Sequence, residues 1–99
     1  MAYSYQLLPE ARADLYEALD WYLEKTLPLA QSFFDDYAKA VARITANPFQ
    51  FPKANGEVRK ARLAGTFPYT IYFVVRGDVA LVVAVFHDKR NPAVWQGRA

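Results

Sequence analysis

Two consecutive apolar runs over residues 70–86 restrict the possible folds more than any other feature of this chain. Only Arg76-Gly77-Asp78 separates them. Val, Ile, Tyr and Phe dominate both runs and favour β-strands, and Gly77 suits a type II′ turn, which needs a positive φ at its first central residue. The pattern predicts an antiparallel hairpin with strands over residues 67–75 and 79–87. A hairpin this apolar has to be covered on both faces.

Two helical segments precede this hairpin. The first is predicted over residues 9–25, beginning at Pro9 with carboxylates near its positive end, and its apolar residues recur at steps of three and four: Ala11, Leu15, Ala18, Leu19 and Tyr22. A second stripe contains Ala30, Phe33, Tyr37, Val41 and Ile44 and ends before Asn47-Pro48. Because the link between the two segments is short, they should lie antiparallel, with their shared stripe against a sheet.

The remaining segments complete a β-α-α-β-β-β order. A short strand is predicted over residues 3–8, a loop over 47–56 and a strand over 57–64, in which Arg59 and Arg62 point to opposite faces. We therefore expect an α+β fold with the helical hairpin packed on one face of an antiparallel sheet. The length of 99 residues predicts one domain over residues 1–99.

Charge is distributed unevenly along the chain. Residues 1–50 hold four basic and seven acidic side chains, whereas residues 51–99 hold eight basic and three acidic ones. This asymmetry predicts an acidic helical surface and a basic working face for nucleic acid or an acidic partner. The absence of cysteine excludes disulfides and zinc-thiolate sites, and no apolar run approaches the length of a membrane span. We expect a cytoplasmic protein with no cofactor, bound metal or membrane partner.

Several short motifs, in this order, resemble the RelE/ParE superfamily of bacterial toxins from type II toxin-antitoxin systems. They are Ala11-x-x-Asp14-Leu15, Trp21-Tyr22, Ile44 with Asn47-Pro48, the run from Arg59 to Leu63, the run from Phe67 to Phe73, and the run from Val85 to Arg90. The resemblance implies the strand and helix order given above and a cognate antitoxin that wraps the toxin. It also leaves two activities open, because ParE-like members inhibit DNA gyrase while RelE-like members cut messenger RNA on the ribosome.

The choice between the two branches depends on the available acid and base groups. Metal-independent RNA cleavage needs a base, an acid and cations around the phosphate, and the candidates for these roles are Arg59, Arg62, His87 and Arg90. Only one histidine is present, and Val85-Phe86-His87 also resembles the strand end of ParE-like toxins. The leading hypothesis is therefore a ParE-like toxin that binds gyrase without catalysis. A ribosome-dependent messenger RNA nuclease is the alternative.

The basic tail supplies the predicted contacts with the target: Lys89, Arg90, Trp95 and Arg98. Trp95 has a second interpretation, in which it packs back onto the sheet face that the helices leave uncovered. We expect this face to be open in the free chain, so that a helix or strand of the antitoxin covers it and contacts Tyr72, Val74 and Val83. With Trp95 and Arg98 as contact residues, truncation after Asn91 should remove activity and leave the fold intact.

Overall fold

The computed structural model describes residues 2–98; Met1 and Ala99, the ends of the predicted domain, lie outside the described residues. The helices and strands follow in the order β1 (Ser4–Leu7), α1 (Pro9–Lys25), α2 (Leu27–Ala46), β2 (Lys53–Asn55), β3 (Val58–Arg62), β4 (Tyr69–Arg76), β5 (Val79–His87) and α3 (Ala93–Gln96). A 3-10 turn occupies Pro48–Gln50. The α+β class and the two predicted helices are confirmed.

Local side-chain chemistry explains why the helical hairpin turns where it does. Pro9 occupies the first turn of α1, where its missing N–H is not needed. The extended backbone at Thr26 ends α1, and the Thr26 hydroxyl caps α2 by accepting a hydrogen bond from the Leu29 N–H at 3.1 Å. Asn47 ends α2 and accepts from the Phe49 N–H at 3.2 Å. Thr26 therefore both ends α1 and caps the start of α2.

The five strands form one sheet in the order β1-β5-β4-β3-β2. The hairpin between β4 and β5 is confirmed, with Arg76 opposite Val79 and Gly77 at a φ of +60°. The prediction of a wholly antiparallel sheet is wrong, because β1 pairs with β5 in parallel. The intervening helices carry the chain back across the sheet, so β1 and β5 can run in the same direction. The predicted loop over residues 47–56 is also partly wrong, because β2 pairs antiparallel with β3.

A β-bulge in β5 changes which side chains face the helices. Tyr72 pairs with Ala84 and Phe73 with Val82, so Val83 is an extra residue on β5. Strict alternation would place residues 83 and 85 on the same face. With the bulge, Val83 packs on the outer face and Val85 on the helical face.

Apolar side chains are buried on both faces of the sheet. The inner cluster lies between the sheet and the helices and contains Phe33, Tyr37, Ile44, Ile71 and Phe73 among others. The outer cluster contains Val58, Val74, Val83, Ala84, Phe86 and Trp95. The expectation that this outer face is open is wrong, because the C-terminal segment of residues 88–98 covers it with Trp95. The structure agrees with the interpretation in which Trp95 packs onto the sheet.

Candidate functional site

Trp95 is the centre of the contact between the C-terminal segment and the outer sheet face. Its side chain is 1% exposed and its ring stacks on Tyr72, with the centroids 4.3 Å apart. Val74 and Val83 are buried in the same cluster. In this structure Trp95 is therefore a core residue and does not present a surface to a target. Contact of Tyr72, Val74 and Val83 with an antitoxin stays a prediction, and it would require Trp95 to move away.

A buried carboxylate on α1 holds the end of the C-terminal segment. Asp14 Oδ2 accepts hydrogen bonds from Arg98 Nη1 at 2.6 Å and from the Val85 N–H at 3.2 Å, and Asp14 Oδ1 lies 3.5 Å from Arg90 Nη1. Arg98 Nη1 also donates to the Val83 carbonyl at 3.1 Å. We call Asp14, Arg90 and Arg98 the Asp14 cluster. Its side chains pair buried charges and satisfy backbone groups at the bulge.

The bulged edge of β5 explains why position 14 carries an acid. Strand β1 ends at Leu7, which is opposite Val82, so β1 leaves the following part of the β5 edge unpaired. Asp14 and Arg98 take the place of a neighbouring strand there. Sequence reasoning treated Asp14 as a charge near the helix start and as part of the Ala11-x-x-Asp14-Leu15 motif, without predicting its burial or its ion pairs. The available signal was its position on the apolar stripe of α1, between Ala11 and Ala18.

Arg98, predicted to contact the target, lies mainly inside the fold. Its side chain is 14% exposed, and its guanidinium lies 5.1 Å from the centre of the Phe86 ring. The Arg90 guanidinium lies 3.9 Å from the same ring, but the Arg90 side chain is 42% exposed. Lys89 is exposed, and its N–H donates to His87 Nδ1 at 3.1 Å. Of the four predicted target-contact residues, Lys89 and Arg90 are accessible in this structure.

A second carboxylate links the C-terminal segment to β3 and β4. Asp88 accepts from Arg62 Nε at 2.9 Å and from the Thr70 hydroxyl at 2.7 Å. Arg62, at the end of β3, is thereby brought to the same end of the sheet as the tail that follows β5. We call Arg62, Lys89 and Arg90 the basic end of the sheet.

Burial, followed by the nearby Asp88 charge, raises the pKa of Tyr72 above its ordinary value.

The four nuclease candidates are not brought together. Arg59 is on the helical side, where it donates to the Phe51 carbonyl at 2.7 Å. Arg62 is on the outer face with Val58, which confirms that the two arginines point to opposite faces. His87 and Arg90 do share a groove, described next.

This groove, between α1 and the end of β5, has a volume of about 500 Å³. Its wall also carries Trp21, Tyr22, Tyr69 and four acids: Asp14, Glu17, Asp20 and Glu24. The Tyr69 and His87 rings meet edge to face, with their centroids 5.2 Å apart. Burial, followed by the nearby Tyr22 and Glu17 side chains, raises the pKa of Tyr69, so its phenol stays protonated at neutral pH.

Two further site types find no support within residues 2–98. No group of three or more histidine, cysteine or acidic side chains in this part of the chain is placed to hold a metal ion. None of the helices described there is both long and apolar enough to cross a membrane.

Comparisons with known proteins agree with this architecture. Residues 5–92 match the family described as ParE toxin of type II toxin-antitoxin system, parDE. A solved structure of the chromosomal ParDE TA system from P. aeruginosa shares the fold, with a TM-score of 0.73 and 22% identity over 87% of this chain and 96% of the other. No curated protein sequence matches the chain. Because the family match spans most of its length, the chain belongs to the ParE toxin family of type II toxin-antitoxin systems.

Proposed function

We propose that this toxin inhibits growth by binding DNA gyrase through the basic end of the sheet, and that a cognate antitoxin neutralises it. The observation that carries the proposal is the fixed position of Lys89 and Arg90. They follow β5 directly, between Asp88, which is bound to Arg62 and Thr70, and the segment that Trp95 packs against the sheet. Because the backbone of this segment is already anchored, only the side chains lose conformational freedom when they contact an acidic protein surface.

The electrostatics of the chain support a directed encounter with such a target. All seven acids of residues 1–50 lie on α1 or α2, whereas the basic end belongs to the sheet and the tail. Complementary charge at an interface mainly raises the association rate and sets the orientation of the partners. We therefore assign binding to the exposed Lys89 and Arg90, and anchoring to the buried Trp95 and Arg98.

Messenger RNA cleavage is the rival function, and one observation favours it: His87 and Arg90 line a single groove. One observation weighs against it. Four carboxylates line the same groove and repel a phosphate backbone, although the two arginines of the cluster offset the charge of Asp14.

The decisive experiment measures DNA supercoiling by purified gyrase in the presence of purified toxin. We expect the wild-type toxin to inhibit supercoiling and the His87→Gln variant to inhibit it equally. Supercoiling that continues unchanged in excess toxin would reject gyrase as the target. Toe-printing on translating ribosomes tests the rival in parallel: new messenger ends that disappear with His87→Gln would establish the nuclease instead.

A further inference from the structure

Carboxylates and aromatic rings line the groove between α1 and the end of β5, which we call the acidic groove. Glu17, Asp20 and Glu24 lie on its α1 wall, and none of them forms a salt bridge within residues 2–98. Asp14 lines the same groove, but its charge is already paired inside the Asp14 cluster. The proposed contact with gyrase uses only Arg90 of the residues that line this groove. It leaves the three carboxylates of α1 unexplained.

A nearly buried hydroxyl in the same groove points to a ligand. Tyr69 is only 9% exposed, yet it lines the acidic groove. Its hydroxyl has no hydrogen-bond partner within the part of the chain that the structure describes, and it is not sealed inside the fold. Polar groups this deeply buried normally have a partner. Since the partner of the Tyr69 hydroxyl can come only from the groove, a ligand with an N–H donor fits there.

Aromatic rings form the apolar part of the groove wall. The Tyr69 ring lies between Tyr22 and His87, with its centroid 6.1 Å from the first and 5.2 Å from the second. Trp21 also lines the groove and is 54% exposed. The chain itself already places an ammonium group on this indole, because Lys25 Nζ lies 4.2 Å from the ring centre. Aromatic faces attract cations, so these rings and the carboxylates favour the same sign of charge.

The spacing of the carboxylates favours an extended organic cation over a single metal ion. From Glu17 to Glu24 the row extends about 10 Å along the axis of α1, at a rise of about 1.5 Å per residue. No group of three or more acidic, histidine or cysteine side chains within residues 2–98 is placed to hold a metal ion. A ligand that distributes several charges along an alkyl chain matches both the row of acids and the rings beside it.

The two cations beside the acidic groove already have partners. Arg90 Nη1 lies 3.5 Å from the Asp14 carboxylate, and its guanidinium lies over the Phe86 ring. Lys25 lies over Trp21. The groove has a volume of about 500 Å³, which is within the range of small-molecule sites, about 300–1,000 Å³.

We propose that the acidic groove binds a free linear polyamine, a ligand that carries several ammonium groups on an alkyl chain. Its ammonium groups pair with Glu17, Asp20 and Glu24, and its alkyl segments lie on the Trp21 ring. One of its N–H groups donates to the Tyr69 hydroxyl. This inference goes beyond the proposed function and does not depend on it, because it assigns a small-molecule site and not a contact with gyrase.

The test is an NMR titration of full-length, ¹⁵N-labelled toxin with spermidine, which carries three ammonium groups. We expect saturable shifts confined to residues 17–24, Tyr69 and their neighbours, with a dissociation constant below about 1 mM. Butylamine has an alkyl chain but only one ammonium group, so it should bind at least about tenfold more weakly. Shifts that do not saturate, or equal affinity for the two amines, would overturn the proposal.

Two variants test the assigned contacts. Tyr69→Phe removes only a hydroxyl that has no partner in the described fold, so spermidine should bind at least about threefold more weakly while the urea midpoint stays unchanged. The combined variant Asp20→Asn and Glu24→Gln should lose at least about tenfold in affinity. The matched control is Glu10→Gln, which neutralises an exposed acid of α1 outside the groove and should bind like the wild type. Wild-type affinity in the combined variant would overturn the site.

Two competitors separate a specific site from a general attraction of cations to acidic surfaces. Magnesium chloride should not displace spermidine at equal concentration, because the carboxylates are not clustered around one point. An amidated trilysine peptide should bind more weakly, because its backbone must also be accommodated beside the groove. Displacement by magnesium would show only a counter-ion atmosphere, and tighter binding of the peptide would assign the groove to basic protein side chains. Either result would overturn the proposal, and neither bears on gyrase inhibition.

Discussion

Asp14 and Arg98 form a buried ion pair, 2.6 Å long, between residues 84 positions apart in the chain. The pair connects α1 to the C-terminal segment, and the same carboxylate accepts the Val85 N–H of the bulged strand. The tail that carries Lys89 and Arg90 is consequently held from both sides, by Asp14 on the helical layer and by Trp95 on the outer face of the sheet.

Replacing Asp14 should destabilise the fold substantially. In Asp14→Asn the buried Arg98 loses its counter-charge, and breaking such a pair on one side costs about 3 kcal/mol or more in the free energy of unfolding. Urea denaturation measures the loss. The control is Glu10→Gln, which neutralises an exposed acid on the same helix and should change stability by less than about 0.5 kcal/mol. Equal stability of the two variants would show that the ion pair is dispensable.

Trp95→Ala should open the outer face of the sheet. The substitution removes the ring that covers Tyr72 and leaves a cavity beside Val74 and Val83, with an expected cost of about 3–5 kcal/mol. Urea denaturation and binding of the apolar dye ANS measure the two effects. Val94→Ala is the matched control, because Val94 is 50% exposed. A Trp95→Ala variant as stable as this control would show that Trp95 is not a core residue.

The same contacts alter the expectation for truncation after Asn91. Sequence reasoning expects the shortened chain to keep its fold, but the truncation removes both Trp95 and Arg98. It leaves the outer cluster exposed and the Asp14 carboxylate without its nearest cation. We now expect the truncated chain to be destabilised, so loss of its activity would not identify a contact residue. Point variants are required for that purpose.

Lys89→Ala should weaken gyrase inhibition without affecting the fold. Lys89 is exposed, and its side chain forms no salt bridge within residues 2–98. We expect stability within about 0.5 kcal/mol of the wild type and a several-fold rise in the toxin concentration needed for half-inhibition of supercoiling. Lys53→Ala, an exposed lysine on β2, is the control. Equal inhibition by both variants would remove Lys89 from the target contact.

The free energy of unfolding should fall as pH rises above about 10. The reason is that the hydroxyls of Tyr5 and Tyr37, which are hydrogen-bonded to each other, stay protonated in the folded chain. Burial raises the pKa of Tyr37 and, more moderately, that of Tyr5. In the unfolded chain both phenols ionise near pH 10, so above that pH the unfolded state loses protons that the folded state retains. Stability is therefore fully present below about pH 10 and is lost as pH rises further.

Urea midpoints between about pH 8 and pH 11 test this dependence. Tyr37→Phe should cost about 1 kcal/mol at neutral pH through the lost hydrogen bond, yet show a shallower loss above pH 10. Tyr16→Phe, at a position that is 54% exposed, should lose stability as steeply as the wild type. An equally steep loss in Tyr37→Phe would place the alkaline sensitivity elsewhere in the chain.

Sequence reasoning succeeded wherever the pattern is local. The spacing of Ala11, Leu15 and Ala18 and the proline at position 9 placed α1 over the observed residues. The apolar runs around Gly77 placed the β4–β5 hairpin, because a tight turn fixes the pairing of strands that adjoin it. The motif order identified the toxin family, which the match over residues 5–92 confirms.

Reasoning from the sequence failed where distant segments meet. Periodicity carried no information about the parallel pairing of β1 with β5 or about β2, because such pairing is decided by which apolar surfaces can be buried together. For the same reason, a strict alternation could not reveal the bulge at Val83, which directs Val85 toward the helices.

The amino-acid sequence by itself determined the helical hairpin, the apolar ribbon, the uneven charge and the family. Only the tertiary structure decided that Trp95 and Arg98 are anchoring residues and that Lys89 and Arg90 remain accessible. The physical reason is that burial and ion pairing depend on neighbours far apart in the chain. Asp14 becomes the partner of Arg98 only after α1 packs beside the bulged edge of β5.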